Sequence, residues 1–325
     1  MMSQNSNFRE IISYAIKAPS GHNTQPWKFK ILDKAIEVYP NFDHSLPVVD
    51  SSNRELYISL GCAVENLCIA AEVKGYLAVP SICKTNNNTY YIHIEMTPQA
   101  PAFNSLFESI DKRQTNRSIY SYKPISPDTL KVIRYMPDET GVHHFVYING
   151  DTVYRSLSDY IYQGNTIQMS DKLFKNELLS WIRFNPRQVK KTMNGLSYKV
   201  MGSPSTPSFM GKMLVRCFLK PGKQNAADKQ KLESSSCFVL FTTSHNTPEE
   251  WIMAGRSLER MLLKTTSLNM ANGFMNQPCE IPELAARMQA QLPINHEHPT
   301  ILIRLGYAQS MPYSPRKSVE EVIMQ

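Results

Sequence analysis

The sequence predicts an α+β protein built from two related α/β halves, each a mixed or antiparallel sheet flanked by helices. Two observations carry this. A long helical pattern of apolar residues occurs twice with the same landmarks, at 53–76 and 248–274. Strand-like segments stand before and after each copy.

Laying Gly61 on Gly255 brings Tyr57 onto Trp251, Ile58 onto Ile252, Val64 onto Leu258, Glu65 onto Glu259 and Leu67 onto Met261. A glycine in mid-helix costs stability unless something packs closely there. Its presence twice at one offset points to a shared ancestor or a shared packing role. Ahead of the first long helix, "NFREIISYAIKAPS" reads as helix and "WKFKIL" as strand, and "YYIHIEM" (90–96) follows it as a strand. "FNSLFESIDK" reads as a short helix. Ahead of the second long helix stand "SPDTLKVIRYMPDETG" (helix and turn) and "VHHFVYI" (strand), and "TILIRLGY" (300–307) comes after it. The halves are placed at 1–100 and 101–325. Only the second carries a long insert, about 150–235, before the strand "SCFVLFTT". The insert is helical in "LSDYIYQGNTIQMSDKLFKNELLSWIRF" and irregular in "MNGLSYKVMGSPSTPSFMGK", where the prolines and glycine of "GSPSTP" exclude regular structure. Such an insert serves as a lid, a pocket wall or a surface decoration.

With 325 residues, 42% hydrophobic and 19% charged, the chain can bury a substantial core. The net charge of +7 points to an anionic ligand or surface. The basic residues are scattered, without long runs or aromatic–basic alternation, which argues against nucleic acid. Six cysteines show no CxxC and no paired spacing, the pattern of free thiols in a reducing cytoplasm. The N-terminus has no basic-then-apolar leader, and no apolar run approaches the length of a membrane span. The expectation is a soluble cytoplasmic protein with neither nucleic acid nor membrane as partner.

Several motifs are missing: GxGxxG, GxxxxGK[ST] and GxSxG do not occur. His143 and His144 lie on a strand and point to opposite faces, and His296 and His298 lack nearby Cys or Asp, so no metal site is expected. Ser20 and His22 stand too close in sequence to imply a triad.

Three stretches bear chemistry. "APSGHNTQPWKF" (18–29) sets Ser20, His22, Asn23, Thr24 and Gln25 ahead of Trp27, more hydrogen-bonding groups than a turn needs. In "RQTNRS" (113–118), Arg113, Thr115 and Arg117 alternate with Asn116 and Ser118, so an extended backbone puts two guanidiniums and a hydroxyl on one side. That is a phosphate cradle or a patch of solvated surface arginines. A second basic pair, Arg316–Lys317, lies near the C-terminus, where a tail folding back could bring another cation.

These stretches resemble the FMN-dependent nitroreductase superfamily. "APSGHNTQPWKF" is similar to its PS-x-x-N-x-Q-P-W-x-F signature, and "RQTNRS" to its R-x-S/T-x-R/K phosphate element. "LNMANGFMNQP" resembles the stretch that passes beside the flavin, and "ILIRLGYAQSMPYSPRKSVEEVI" the family's C-terminal strand and basic tail. The pieces are divided between the halves: the first has the QPW element, the second the R-x-T-x-R element and the tail. The resemblance is therefore to the fused, single-site Acg-like branch, in which one chain imitates a dimer.

The resemblance implies FMN as cofactor and NAD(P)H as electron donor. Arg113, Thr115, Arg117 and Arg316 would hold the phosphate, with Asn116 in the same element. Ser20, Asn23 and Gln25 would reach the ribityl chain and ring edge, with His22 beside them. Met275 and Asn276 would lie beside the ring, and Trp27 would anchor the loop in the core. The implied reaction is hydride transfer to a nitroaromatic, a quinone or another small acceptor, and no protein acid or base is obligatory. The insert, with Tyr198, Met201 and Phe209, would cover the site. The alternatives are a lidded FMN-binding or sequestering protein with little reductase activity, and a degenerate scaffold without cofactor. A fused chain has less need of a second subunit, so a monomer or weak homodimer is expected.

Overall fold

In chain order the first elements are α1 (Met2–Ala15), β1 (Trp27–Ile31), β2 (Ala35–Pro40), α2 (Arg54–Val73), β3 (Tyr76–Lys84), β4 (Tyr90–Pro98), α3 (Phe107–Lys112), α4 (Pro127–Arg134) and β5 (Val142–Ile148). There follow α5 (Thr152–Ser170), α6 (Lys172–Trp181), β6 (Ile182–Arg183), α7 (Pro186–Thr192), β7 (Leu196–Ser197), α8 (Ser208–Phe218) and α9 (Pro221–Glu233). The last are β8 (Cys237–Thr243), α10 (Pro248–Ser267), β9 (Ala271–Phe274), α11 (Gln277–Glu280), α12 (Pro282–Gln291), β10 (His298–Gly306) and α13 (Val319–Val322). The structure is a computed structural model and describes residues 2–324. It divides into two units: Met1–Arg113 with Thr247–Ser267 and Arg316–Gln325, and Gln114–Asn246 with Leu268–Pro315.

Unit 1 holds an antiparallel sheet in the order β1-β2-β4-β3. Pro80 sits in β3, which lies at the edge of that sheet, where a missing N–H is tolerated. Helix α2 packs on β2 and β3 and also on α1 and α10. Its length and mean hydropathy of 1.5 would suit a membrane span, yet 83% of that stretch is buried inside the protein. It is a core helix, largely apolar because nearly every face is covered.

The two mid-helix glycines explain each other. A Cβ added to Gly61 would lie 2.0 Å from the Ile252 carbonyl oxygen and 2.9 Å from Gly255 Cα. A Cβ added to Gly255 would lie 2.0 Å from the Ile58 carbonyl oxygen and 2.9 Å from Gly61 Cα. Helices α2 and α10 cross backbone to backbone at these glycines, and the same atoms meet from either side. The matched residues Tyr57 and Trp251 also meet, with ring centroids 6.3 Å apart.

Unit 2 holds an antiparallel sheet in the order β5-β8-β10-β9. Matching β1 with β5, β2 with β8, β3 with β9 and β4 with β10 makes the two sheet orders identical. Helices α2 and α10 occupy the same place in the two series, so the duplication read from one helix pair extends to the strand order. The insert lies between β5 and β8. Strand β8 is central and buried throughout, which accounts for its continuous "CFVLF" rather than an alternating pattern. Its core includes Leu157, Ile161, Phe238, Leu240, Met288 and Leu302.

Some boundaries differ from expectation. The second long helix stops at Ser267 instead of running to 274. Asn269 takes a left-handed φ of 57°, and Ala271–Phe274 pairs with β10 as a strand. The insert's helical stretch is two helices, broken at Asp171, whose side chain caps α6 by accepting from Leu173 N at 2.8 Å. Of the stretch expected to be irregular, "GSPSTP" is so, as its composition requires, but Leu196–Ser197 forms β7 and "SFMGK" opens α8.

The crossing predicts the behaviour of its glycines. Gly61→Ala and Gly255→Ala should each lower the unfolding free energy by about 3 kcal/mol in urea titrations. Gly222→Ala, where an added Cβ meets nothing within 4 Å, should be neutral or slightly stabilising.

Candidate functional site

Of the expected site residues, Ser20, His22, Asn23, Gln25, Arg113 and Arg316 belong to unit 1, and Thr115, Asn116, Arg117, Met275 and Asn276 to unit 2.

In unit 1 the loop after α1 is held in an unusual conformation. His22, Asn23 and Gln25 have φ of 49°, 56° and 55°. Left-handed backbone is uncommon for residues other than glycine, and Gln gains least from it. The loop is fixed by its own bonds. Asn23 N donates to Ser20 O and Thr24 N to Gly21 O, both at 2.9 Å, and Gln25 N donates to Ser20 Oγ at 3.0 Å. Trp27 beneath it is fully buried, the anchor its position implies. This backbone turns the amides of Asn23 and Gln25 onto the C-terminal segment. Arg316 Nη1 donates to Asn23 Oδ1 at 2.7 Å, and Lys317 N donates to Gln25 Oε1 at 2.9 Å. His44 receives Lys317 Nζ at its Nε2 at 3.1 Å, and its Nδ1 lies 3.3 Å from Gln25 O. Burial and the Lys317 ammonium hold His44 below its ordinary pKa, so its neutral Nδ1–H form fits both contacts.

The tail thus brings a second guanidinium to the end of α1. Arg113 Nη2 and Arg316 Nη2 both donate to Lys17 O, at 2.8 and 3.1 Å, and Arg316 also reaches Ala18 O at 3.1 Å. Arg113 is buried, with Nε 3.4 Å from Glu259 Oε1. Its Nη1 makes no hydrogen bond, and neither does either oxygen of Glu259. Burial, and then the like charge of Arg113, pulls Arg316 down to about 9, against the opposing attraction of Glu259. Burial lifts Glu259 to about 7, although Arg113 works against it.

The duplication shows how this arose. Glu65, the counterpart of Glu259, is held by Arg256 Nε at 3.1 Å and Arg260 Nε at 2.8 Å from the facing helix. Under the same alignment, Arg256 and Arg260 correspond to Cys62 and Asn66. One carboxylate of the pair is neutralised inside the helix crossing. The other lacks facing arginines and meets Arg113 instead.

In unit 2 the phosphate-like element is extended. Thr115 bridges Asn272, and Asn116 N donates to Asn272 O at 2.7 Å. Asn116 is buried and its side chain is bonded at both ends: it donates to Gln309 O at 2.8 Å and accepts from Ser118 N and Oγ. It shapes the element. Among the described residues, Arg117 has no hydrogen-bond or ion-pair partner and Thr115 Oγ1 no hydrogen bond, while burial lowers Arg117 to about 10. Met275 lies in the core of unit 2, and the Asn276 side chain accepts from Leu302 N at 3.1 Å.

Arg304, in the "RLGY" strand, carries no signal of its own in the sequence, yet it holds this element in place. Its Nη2 donates to the carbonyls on either side of Arg117, Asn116 O at 3.2 Å and Ser118 O at 2.7 Å. Its Nη1 reaches Lys231 O at 3.1 Å and Ser235 Oγ at 3.3 Å, and its guanidinium lies 3.8 Å from the Tyr120 ring centroid. The Tyr120 hydroxyl donates to Asn116 O at 3.1 Å. Among the described residues, no cluster of His, Cys, Asp and Glu forms a metal site, and all six cysteines are free.

The buried carboxylate makes stability depend on pH. Glu259 holds a proton in the folded state that the unfolded chain releases between about pH 4.5 and pH 7. Its stabilisation is complete below 4.5 and lost as pH rises through 7. The fall in urea stability from pH 5 to pH 8 should therefore shrink in Glu259→Gln, the remainder coming from Asp50, lifted by burial to about 6. Arg304→Lys should cost about 3 kcal/mol in the same measurement, because one ammonium cannot serve the acceptors spread around a guanidinium.

No protein-family model matches the chain. The candidate NAD(P)H nitroreductase Rv3131 of Mycobacterium tuberculosis is 23% identical over 328 residues, covering 97% of this chain and 90% of the relative. The candidate NAD(P)H nitroreductase acg of the same species is 21% identical over 322 residues, covering 97% and 94%. Among solved structures, the FMN and NADPH-dependent nitroreductase NfnB of Sphigopyxis sp. aligns over 68% of this chain and 99% of that chain, at 14% identity and TM-score 0.44. NfnB of Mycobacterium smegmatis, solved with NADPH, aligns over 66% and 94%, at 12% identity and TM-score 0.42. The similarity to Rv3131 and acg runs through nearly the whole of each chain and supports the resemblance to the nitroreductase superfamily and its Acg-like branch.

Proposed function

We propose that the protein is an FMN-dependent oxidoreductase that passes electrons from NAD(P)H to a nitroaromatic, a quinone or a related small acceptor. The observation that carries this is Arg117: a partly desolvated guanidinium with no protein counter-charge, next to an unused Thr115 hydroxyl. A desolvated cation without a partner is costly, and a phosphate dianion relieves that cost. Arg113 supports the same reading, with an unbonded buried Nη1 and Arg316 close enough to depress the latter's pKa. The relatives' activity class agrees with it.

FMN, when bound, supplies the hydride and electron transfer. The chain's own groups bind and orient it. Thr115 and Arg117 would hold the phosphate, Arg304 positions Arg117 through the carbonyls on either side of it, and Arg113 and Arg316 are the further cations that the resemblance assigns to it. The strained loop presents Ser20, whose hydroxyl accepts from Gln25 N and keeps its own hydrogen to donate. Asn23 and Gln25 fix the tail that carries Arg316 and so act on the phosphate end through it. No residue is assigned as a proton donor or acceptor.

Purified protein should show flavin absorbance, or gain it when FMN is added, and should bleach with NADH or NADPH in the absence of oxygen. No bound flavin after supplementation would sink the proposal. Flavin that bleaches with dithionite but with neither nicotinamide would mean binding or sequestration without reductase turnover. Arg117 has no structural partner to lose, so Arg117→Ala should weaken FMN binding about 10- to 100-fold without lowering stability. An unchanged affinity would refute the phosphate assignment.

A further inference from the structure

Basic charge is concentrated in one place that the absence of Lys/Arg runs conceals. Between residues 178 and 227 there are nine Lys or Arg and no Asp or Glu, in a chain whose net charge is +7. The rest of the protein is therefore slightly acidic. The basic segment lies within the insert and packs around a small core of its own, formed by Leu179, Ile182, Phe184 and Leu196. All of these nine except Arg183 are exposed.

Helix α8 has three faces. Gly211, with Val215 and Leu219, forms the packed seam, and a Cβ on Gly211 would lie 2.2 Å from the Phe184 ring. Lys212 and Arg216, one turn apart, flank that seam. The remaining face is apolar and open to solvent: Phe209 is 75% exposed, Met213 62% and Phe218 60%, with Met210 and Leu214 beside them. Lys220 and Lys223 follow at its end, and Lys223 Nζ lies 4.4 Å from the Phe218 ring centroid. A contiguous apolar stripe on a soluble protein marks a docking surface. Large apolar side chains flanked by cations, in a segment without Asp or Glu from 178 to 227, match a bilayer interface, where apolar groups enter the acyl boundary and Lys or Arg meet anionic headgroups.

We propose that α8 and its basic surround dock the protein peripherally on an anionic membrane surface. The expectation of no membrane partner rests on the absence of a spanning segment and a leader, neither of which bears on a helix lying in the interface plane. Nucleic acid would use the charge but gains nothing from an aliphatic stripe. A second copy of this chain would bring like-charged surfaces together.

The test is sedimentation of the full-length protein with phosphatidylcholine vesicles, with and without phosphatidylglycerol. Binding should require phosphatidylglycerol and weaken with added salt. Lys212→Gln with Arg216→Gln should weaken it about 30-fold. Phe209→Ser with Met213→Ser and Phe218→Ser should reduce it to the level on neutral vesicles. Phe209→Trp, which keeps the apolar face intact, should shift its emission to the blue on phosphatidylglycerol vesicles and be quenched by brominated lipid. The proposal is overturned if no vesicle binds and the emission of the Phe209→Trp variant stays fixed. It is equally overturned by binding to DNA or RNA instead, or by a dimer that the triple serine variant dissociates.

Discussion

The crossing of α2 and α10 at Gly61 and Gly255 is the constraint on which unit 1 depends. Each glycine fills the space that a side chain on the other would need, so the two helices approach as closely as backbones allow. That contact fixes the depth and register of α10, and with them the position of Glu259, one helical turn further on. Without the crossing, Arg113 would lack its carboxylate neighbour, and the guanidinium pair at the end of α1 would have no counter-charge nearby.

The crossing is near-symmetric, but the chemistry around it is not. Glu65 and Glu259 descend from equivalent positions, and only one is neutralised by the facing helix. Burying an ion pair gains little stability, but burying a charge without its partner costs much. Selection for folding alone would give Glu259 the same arginine neighbours that Glu65 has. Cys62 and Asn66 stand there instead, and polar atoms of both Arg113 and Glu259 are left without hydrogen bonds. An imbalance in one copy only, at the place where a ligand is proposed, is what a duplicated protein with a single working site should show.

Much of this is legible in the sequence, because the signals are local. Glycine offset, the Glu65–Glu259 match and strand composition depend on residues near one another in the chain, and each leads to a feature of the structure. The "QPW" loop is legible as an over-furnished turn. The left-handed backbone of Gln25 and the tail as partner of Asn23 are not, because they depend on residues almost 300 positions apart. Arg304 sits in a recognised strand but looks like one more strand residue. Its importance comes from which carbonyls face it, and strand pairing decides that. The second long helix reads too far because Met270, Ala271 and Phe274 suit a helix or a strand, and pairing with β10 selects the strand. The basic surround of α8 is hidden because its charges are spaced by uncharged residues, so that composition over a window, not adjacency, reveals it.

The segments that complete unit 1 also impose an order on synthesis. Its sheet and α1 lie within the first 113 residues, but α10 comes from Thr247–Ser267, and the last segment, which pairs Ile323 with Phe29, is Arg316–Gln325. During translation the first part of the chain must wait, with the face of α2 around Gly61 uncovered, until most of the protein has left the ribosome. Long-range closure of this kind slows folding and exposes apolar surface meanwhile. The nascent chain is therefore most vulnerable to aggregation and proteolysis before α10 emerges, and a chain cut short within the insert would leave that face permanently bare.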